Sequence, residues 1–258
     1  MSVDVEVRDR IATVVLNRPE VMNSYDRQMR EAVYALWERL CTDDEIHAAI
    51  ITGAGGKAFC TGSDLKNSMP PQESYAQLLL GNGDPGGILH GFGTDKPIIC
   101  AINGYALGGG LELALACDIR IASENAVMGL TEARVASVPG SGGVQRLPRT
   151  VPRSDAMLML LTGDKIDAAE ALRMGLVSKV VPQAELMPTA RAIAERIVAN
   201  GPLAVRAIKR LVVRGQDMPL DHALEVDKYM LGLLRDTEDR LEGRRAFKEK
   251  RKPVYRGR

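Results

Sequence analysis

The amino-acid sequence predicts a mixed α/β fold in which strands come first and helices follow. Two observations lead to this prediction. Short apolar or alternating runs of strand length occur mostly in the first half of the 258 residues. The later segments show helical periodicity, and glycines stand where several of those helices would end. A chain of this length is expected to form one large domain, or one domain with a small extension.

The first half contains most of the predicted strands and one amphipathic helix. The stretches "VDVEVRD" and "IATVVLN" predict two strands joined by a polar turn at Asp9 and Arg10. Buried strands are predicted for "AAIITG", "PIICAING" and "DIRIAS". A helix is predicted over "DRQMREAVYALWERL", and the side chain of Asp26 can cap its N-terminus. The apolar face of this helix, which is expected to be buried, contains Met29, Val33, Leu36, Trp37 and Leu40.

The second half is predicted to be mainly helical. Helical patterns cover "RSDAMLMLLTG", "DAAEALRMG", "AELMPTARAIAERIVAN", "PLAVRAIKRLVVRG" and "PLDHALEVDKYMLGLLRD", with one late strand at "LVSKVV". Gly163, Gly175 and Gly215 are expected to cap the C-termini of three helices. Proline and glycine are frequent between Asn67 and Thr94, which predicts a mobile surface segment around a short helix. The sequence shows no regular internal repeat.

Composition and charge narrow the class of protein. The net charge of +1 gives no overall indication of nucleic-acid or membrane binding. The N-terminus lacks the uninterrupted apolar core of a signal peptide, and no run approaches the ~18 apolar residues of a membrane span. The four cysteines form no CxxC pair, so neither a zinc site nor a disulfide framework is indicated. Cys100 and Cys117 are expected in the core of a reduced, cytoplasmic protein.

Two glycine-rich stretches do not support a nucleotide site. "GAGGKA" fits a loose dinucleotide pattern, but the nearest later acid, Glu73, ends no predicted strand. Lys57 is followed by Ala58, which excludes a P-loop. Both "GAGGKA" and "GSGG" are therefore interpreted as turns. A serine-nucleophile motif of the form G-x-S-x-G is absent, and the three histidines are isolated.

A third glycine cluster, Gly108 to Gly110, joins the strand "PIICAI" to the helix "GLELALAC". Glycine lets the backbone approach a ligand closely, and a helix N-terminus presents free N–H groups. These are the components of an oxyanion hole, in which backbone donors stabilise charge on a carbonyl oxygen. A second donor is expected from the loop "FCTGSDLK", where Gly62 stands beside Ser63.

Two glutamates near strand-to-helix turns are candidate proton-transfer groups. Glu112 lies in the first turn of the helix that follows the glycine cluster. Either the helix dipole favours an acid there, or burial raises its pKa and suits it to proton transfer near neutral pH. Glu132, in "GLTEARVASVPG", is either a second such acid or a solvated loop residue. The sequence leaves these alternatives open.

Together these motifs resemble the crotonase family, also called the enoyl-CoA hydratase/isomerase superfamily, over nearly the whole chain. The resemblance is carried by "VVLNRPEVMNSYD", "AAIITGAGGKAFCTGSDLK", "KPIICAINGYALGGGLELALACDIRIASENAVMGLTEA", "VPGSGGVQRLPR", "LTGDKIDAAEALRMGLVSKVV" and "EGRRAFKEKRKPVYRGR". It implies a spiral of ββα turns with a helical C-terminal oligomerisation subdomain. The implied division is a core over residues 1–200, with the catalytic and CoA sites, and a trimerisation region over 201–258. The implied assembly is a homotrimer, or a hexamer made of two trimers.

The resemblance implies reversible hydration of a 2-enoyl-CoA to a 3-hydroxyacyl-CoA by syn addition of water. Ser63 and Gly109 match the oxyanion donors; many family hydratases have alanine at the first position, but the donor is main chain. Glu112 is taken to activate the water, and Glu132 to hold it and deliver a proton to C2. Family isomerases, dehalogenases and hydrolases commonly lack one or both glutamates. No metal or redox cofactor is implied, because the CoA thioester is the substrate.

The same loop is expected to contact the CoA part of the substrate. The motif continues from Ser63 through Asp64, Leu65 and Lys66. Lys66 matches a family position near the nucleotide and the pantetheine. The acyl pocket is expected to be shaped by the segment that follows, between residues 67 and 94, and by the C-terminal helices.

The C-terminal segment is a second candidate for CoA contact. Phe247 and Lys250 match family residues that approach the adenine and the phosphates, often from a neighbouring subunit. Residues 244–258 contain eight Lys or Arg and one Glu, a net charge of +7. The alternative interpretation is a solvated basic tail.

Three other functions remain open. The segments "VPGSGGVQRLPR" and "AFKEKRKPVYRGR" also resemble carnitinyl-CoA dehydratase and related dehydratases of unusual acyl groups. An enoyl-CoA isomerase is less favoured, because one glutamate suffices for a proton shuttle. RNA binding, known for some crotonase relatives, is supported only by the basic tail, since aromatic residues make up 4% of the chain.

Overall fold

A computed structural model describes residues 2–64 and 93–258. Within these ranges the strands form two sheets. In the larger sheet, with order β1-β2-β3-β5-β7-β10, β1 is antiparallel to β2 and every later pair is parallel. Its strands are β1 (Val3–Arg8), β2 (Ile11–Leu16), β3 (Ala48–Gly53), β5 (Ile98–Ile102), β7 (Ile119–Ser123) and β10 (Lys179–Val181).

The smaller sheet has the order β4-β6-β8-β9, in which β4, β6 and β8 are parallel and β9 is antiparallel to β8. Its strands are β4 (Ala58–Cys60), β6 (Tyr105–Leu107), β8 (Val127–Gly129) and β9 (Ile166–Asp167). From β3 to β8 the chain therefore alternates between the two sheets, adding one strand to each in turn.

A ββα unit recurs along this path. Strands β5 and β6 lead into helix α2 (Gly109–Ala116), and β7 and β8 lead through a 3-10 turn (Glu132–Val135) into α3 (Gly143–Thr150). The spiral implied by the sequence resemblance is thus confirmed. The sequence does not reveal this repeat, because the repeat is defined by parallel pairing between strands that share no residue pattern.

Helix α1 (Arg27–Thr42) forms where the apolar periodicity predicts it. Asp26 is its N-cap, and a carboxylate oxygen of Asp26 accepts a hydrogen bond of 2.8 Å from the N–H of Met29. The five apolar residues predicted to be buried are all buried. Local sequence was sufficient here because a cap and one apolar face specify the helix.

The C-terminal half of the chain is mostly helical, as predicted. Gly163 (φ 66°) caps its helix in the left-handed conformation, and Gly175 (φ 78°) follows the helix end at Met174. The prediction for Gly215 is wrong: it is the last helical residue, and the chain turns through a bond from the N–H of Met218 to its carbonyl. The helices are α4 (Arg153–Thr162), α5 (Ala168–Arg173), α6 (Leu186–Val198), α7 (Pro202–Gly215), α8 (Leu220–Leu234) and α9 (Glu238–Glu249).

The core lies on both faces of the larger sheet, so β3 and β5 are buried along their whole length. One face packs against α6, and the other faces α1, α2 and the smaller sheet. Cys100 and Cys117 are buried there as expected. In contrast, no residue of α8 is buried.

Several expectations concern residues outside the described ranges. Leu65, Lys66 and most of the segment between residues 67 and 94 fall there. The proposed boundary after residue 200 lies between α6 and α7, and the division into two units stays a prediction. Across residues 2–64 and 93–258, no helix combines the length and apolar character needed to cross a membrane.

Candidate active site

The first expected oxyanion donor lies in the loop after β4. The N–H of Tyr25 donates to the carbonyl of Gly62 (2.9 Å), and the N–H of Asp64 donates to the carbonyl of Tyr25 (3.0 Å). These two bonds make a parallel bridge between Tyr25 and Ser63. In such a bridge the N–H of the central residue points away from the partner strand. The Ser63 N–H is therefore directed away from Tyr25.

The second expected donor lies where β6 enters α2. Gly108 has a φ of 54°, and its carbonyl accepts a 3.0 Å hydrogen bond from the N–H of Glu112. In a trans peptide the N–H opposes the carbonyl, so the Gly109 N–H points out of the helix start. A Cβ atom at Gly62 would lie 2.9 Å from the Gly109 nitrogen. The loop of Ser63 and the start of α2 therefore lie against each other.

Each of the three consecutive glycines is required for a different structural reason. Gly108 adopts a positive φ, which disfavours other residues. A Cβ at Gly109 would lie 3.1 Å from the Tyr25 ring and hydroxyl, and one at Gly110 would lie 2.0 Å from the carbonyl oxygen of Cys60. The start of α2 can approach the end of β4 only because these side chains are absent.

Glu112 is a buried acid whose orientation is fixed by a neighbouring loop. Its side chain is 3% exposed, and Oε1 accepts hydrogen bonds from the N–H groups of Ser141 (2.7 Å) and Gly143 (2.8 Å). Burial raises the pKa of Glu112, while these two bonds and the charge of Arg146 oppose the rise. Of the two sequence-based alternatives, the structure agrees with the buried acid of raised pKa.

Glu132 lies next to the glycine cluster, on the 3-10 turn after β8. A Cβ at Gly108 would lie 3.1 Å from its Oε1. Within the described part of the chain, its Oε2 is buried without a hydrogen-bond partner. Burial raises the pKa of Glu132, its own backbone N–H opposes the rise, and the negative charge of Glu112 adds to it. The charge of Glu112 therefore acts on Glu132 beside the start of α2.

Some residues around this site were missed from the sequence. Ser141 and Gly143, which bind Glu112, belong to "GSGG", which the sequence indicated only as a turn. Arg146 braces the same loop by donating from Nη1 to the carbonyl of Ser141 (3.0 Å). Tyr25, which contacts both donor segments, carried no signal in the sequence.

The C-terminal candidates lie apart from the glutamates within one chain. Phe247 is 87% exposed and lines a groove between α7, α8 and α9, and Lys250 is the left-handed C-cap of α9. The basic tail is partly neutralised, because Arg251 pairs with Glu242 and Glu249, and Arg258 pairs with Glu238.

The described site thus combines backbone donors with two carboxylates of raised pKa. Such an arrangement can polarise a carbonyl and move a proton beside it. Within the part of the chain that the structure describes, no group of three or more His, Cys, Asp or Glu side chains is placed to hold a metal ion.

Comparison with known proteins places the chain among acyl-CoA enzymes. The enoyl-CoA hydratase/isomerase family model matches residues 6–258. An (E)-benzylidenesuccinyl-CoA hydratase from Thauera aromatica is 53% identical over 257 residues, covering 100% of both chains. A carnitinyl-CoA dehydratase from Salmonella enteritidis is 41% identical over 253 residues, covering 96% of this chain and 95% of that protein. The crystal structure of an enoyl-CoA hydratase from Bacillus anthracis has a TM-score of 0.92 and 39% identity, with both chains covered completely.

Proposed function

The chain belongs to the enoyl-CoA hydratase/isomerase family, and we propose that it hydrates a 2-enoyl-CoA to a 3-hydroxyacyl-CoA by reversible syn addition of water. One observation carries this proposal: Glu132 lies against Gly108 at the start of α2, and the negative charge of Glu112, in the first turn of that helix, acts on it. An isomerase needs one proton shuttle, whereas hydration needs one group to activate water and another to protonate carbon.

The oxyanion donors supply the electrophilic part of the reaction. The N–H groups of Ser63 and Gly109 donate to the thioester oxygen, which draws electron density from the C2–C3 double bond. Attack at C3 then produces an enolate-like oxygen, which the same donors stabilise. Hydration adds the elements of water without electron transfer, so the reaction needs no redox cofactor.

The environments of the two acids support different roles. Glu112 accepts two backbone hydrogen bonds and lies near Arg146, all of which favour its ionised form. We propose that it removes a proton from water as the oxygen adds to C3. The charge of Glu112 favours the protonated form of Glu132, which then donates a proton to C2.

For the acyl group, we propose an aryl-substituted thioester of the benzylidenesuccinyl-CoA type. The support is the 53% identity, over the full length, to a hydratase named for that substrate. The 41% identity to a carnitinyl-CoA dehydratase makes a carnitine-like acyl group the second candidate. The CoA contacts proposed for Ser63, Asp64, Leu65 and Lys66 apply to any of these thioesters.

The test compares kcat/KM for (E)-benzylidenesuccinyl-CoA, crotonobetainyl-CoA and crotonyl-CoA. The reaction is measured as the loss of absorbance of the conjugated enoyl thioester. The highest value is expected for (E)-benzylidenesuccinyl-CoA. A higher value for either other thioester contradicts the proposed acyl group and leaves hydration standing. Absence of hydration for all three contradicts the hydratase proposal. The double variant Glu112→Gln/Glu132→Gln serves as the control for contaminating activity.

We also propose that the C-terminal helices form the subunit interface of a trimer or a hexamer, with Phe247 and Lys250 reaching the CoA of a neighbouring subunit. The support is an exposed apolar surface, which in soluble proteins marks interaction sites. It includes Ile208 of α7 and Leu220, Tyr229, Leu231 and Leu233 of α8. Light scattering of the wild type should give a multiple of three chains, and Leu231→Asp/Leu233→Asp should lower the mass. A monomeric wild type contradicts this proposal.

A further inference from the structure

Tyr25 is the residue that contacts both segments of the proposed oxyanion hole. It lies between a 3-10 turn (Pro19–Val21) and α1, and it is partly buried against the core. No motif predicts a role for it. Its contacts span large distances in sequence, since Gly109 is 84 residues away.

The backbone of Tyr25 holds the Ser63 segment on both sides. Its N–H donates to the carbonyl of Gly62, and its carbonyl accepts from the N–H of Asp64. These bonds fix the two peptide groups that flank Ser63. The direction of the Ser63 N–H follows from them.

The side chain of Tyr25 holds the other segment. Its hydroxyl donates to the carbonyl oxygen of Gly109, and its ring occupies the space that a Cβ at Gly109 would need. Directly before Gly109, the N–H of Gly108 donates to the carbonyl of Gly129 (2.9 Å). The backbone is therefore fixed by hydrogen bonds at both Gly108 and Gly109, and Tyr25 provides the one at Gly109.

We propose that Tyr25 is a positioning residue that sets the distance between the two backbone donors of the oxyanion hole. This inference rests on the proposed function of Ser63 and Gly109. Burial raises the pKa of the Tyr25 hydroxyl, and the negative charge of Glu112 raises it as well, so the phenol keeps its donated proton at working pH.

Loss of this hydroxyl should affect the transition state more than the ground state. The oxygen carries most negative charge in the enolate-like transition state, so misplaced donors weaken that state selectively. Tyr25→Phe keeps the ring and the backbone bonds. We expect kcat to fall about tenfold, the size of one neutral hydrogen bond, with KM changed by less than about threefold.

A spectroscopic readout separates positioning from general stability. A cinnamoyl-CoA with an electron-donating ring substituent absorbs at longer wavelength when its carbonyl is polarised, and this shift requires no turnover. Wild type should shift the bound chromophore to the red, and Tyr25→Phe should shift it less at saturating protein. Tyr105→Phe is the matched control, because it also removes only a tyrosine hydroxyl, and the Tyr105 ring, in β6, lies 5.8 Å from the Lys165 ammonium.

The outcomes distinguish this inference from the proposed function. A reduced red shift and a reduced kcat in Tyr25→Phe support the inference, provided that its melting temperature is unchanged and that Tyr105→Phe behaves as the wild type. A red shift and a kcat equal to those of the wild type in Tyr25→Phe overturn it. A lower red shift or kcat that accompanies a lower melting temperature overturns it as well. A wild type that polarises the chromophore but hydrates no 2-enoyl-CoA contradicts the proposed reaction alone, and a smaller shift in Tyr25→Phe then still supports the inference.

Discussion

Glu112 and Glu132 lie beside the same helix start but have differently built surroundings. Glu112 is on a regular helix, is 3% exposed, and has one oxygen bound by two backbone N–H groups. Glu132 is on a 3-10 turn, and within the described chain its buried Oε2 has no partner. One acid is oriented and stabilised as an anion by the protein, whereas the other keeps unused hydrogen-bonding capacity.

This contrast shows how two carboxyl groups beside one helix start can have different surroundings. Desolvation raises the pKa of both carboxyls, so it does not distinguish them. The distinction comes from the groups that oppose desolvation. Ser141, Gly143 and Arg146 oppose it at Glu112. At Glu132, among the described residues, only its own backbone N–H opposes it, and the charge of Glu112 adds to the rise.

The largest expected effect comes from neutralising either acid. Glu112→Gln and Glu132→Gln should each lower kcat by about 10³-fold, within the range of general acid–base catalysis. A second assay distinguishes the two acids: exchange of the C2 proton of a saturated acyl-CoA in D₂O. Glu112→Gln should retain exchange and Glu132→Gln should lose it, because only Glu132 is expected to contact C2. Glu124→Gln, at an exposed position, is the control. Loss of exchange in Glu112→Gln alone would reverse the assignment.

A smaller effect is expected when a methyl group is placed against either carboxylate. A Cβ at Gly143 would lie 3.0 Å from Oε1 of Glu112, and one at Gly108 would lie 3.1 Å from Oε1 of Glu132. Gly143→Ala and Gly108→Ala should each lower kcat about 10²-fold, because displacements near 1 Å cost about this much. Stopped assays on the preferred thioester measure the loss.

Matched glycine variants control for backbone effects. A Cβ at Gly140 would meet only one atom, at 4.0 Å, and Gly140→Ala should leave kcat within about twofold. Gly175 shares the positive φ of Gly108 but has open space, so Gly175→Ala reports backbone strain alone. Equal losses in Gly175→Ala and Gly108→Ala would show that strain, not displacement of Glu132, lowers the activity.

Removing the charge of Arg146 is expected to lower kcat/KM about tenfold at low pH. Arg146 is the charged side chain that acts on Glu112, and Glu112 in turn raises the pKa of Glu132 and of Tyr25. Arg146 lowers the pKa of Glu112, so Arg146→Met should raise it. Since the base must be ionised, the acidic limb of kcat/KM should move up by about one pH unit. Arg149→Met, an exposed neighbour on α3, is the control. An unchanged or lower limb contradicts the assignment of Glu112 as the base.

The smallest expected effect is on stability. The pKa of Glu132 is raised in the folded state, so the fold binds more protons than the unfolded chain between pH 4.5 and that raised value. The free energy of unfolding therefore falls as pH rises through this window. Glu132→Gln should raise the melting temperature by ~2 °C at pH 8, for a gain on the order of 1 kcal/mol, and by less at pH 4. Scanning calorimetry at both pH values measures the difference; an equal change at both contradicts the burial effect.

The sequence was most informative where neighbouring residues decide the structure. Asp26 caps α1 three residues from the N–H that it binds, and the apolar spacing identified the buried face. It was wrong at Gly215, where the chain continues as a right-handed turn instead of a left-handed cap. The ββα repeat was not predicted from the sequence, because pairing between remote strands defines that repeat.

Sequence motifs alone identified the fold family and predicted four central site residues, Ser63, Gly109, Glu112 and Glu132. Only the tertiary structure decided the surroundings that distinguish the two acids. The loop that binds Glu112 is 29 residues away in sequence. Caps and periodicity act over a few residues, whereas desolvation and hydrogen bonding in a pocket depend on which remote segments pack together. The chemistry of the site is therefore a property of the folded chain.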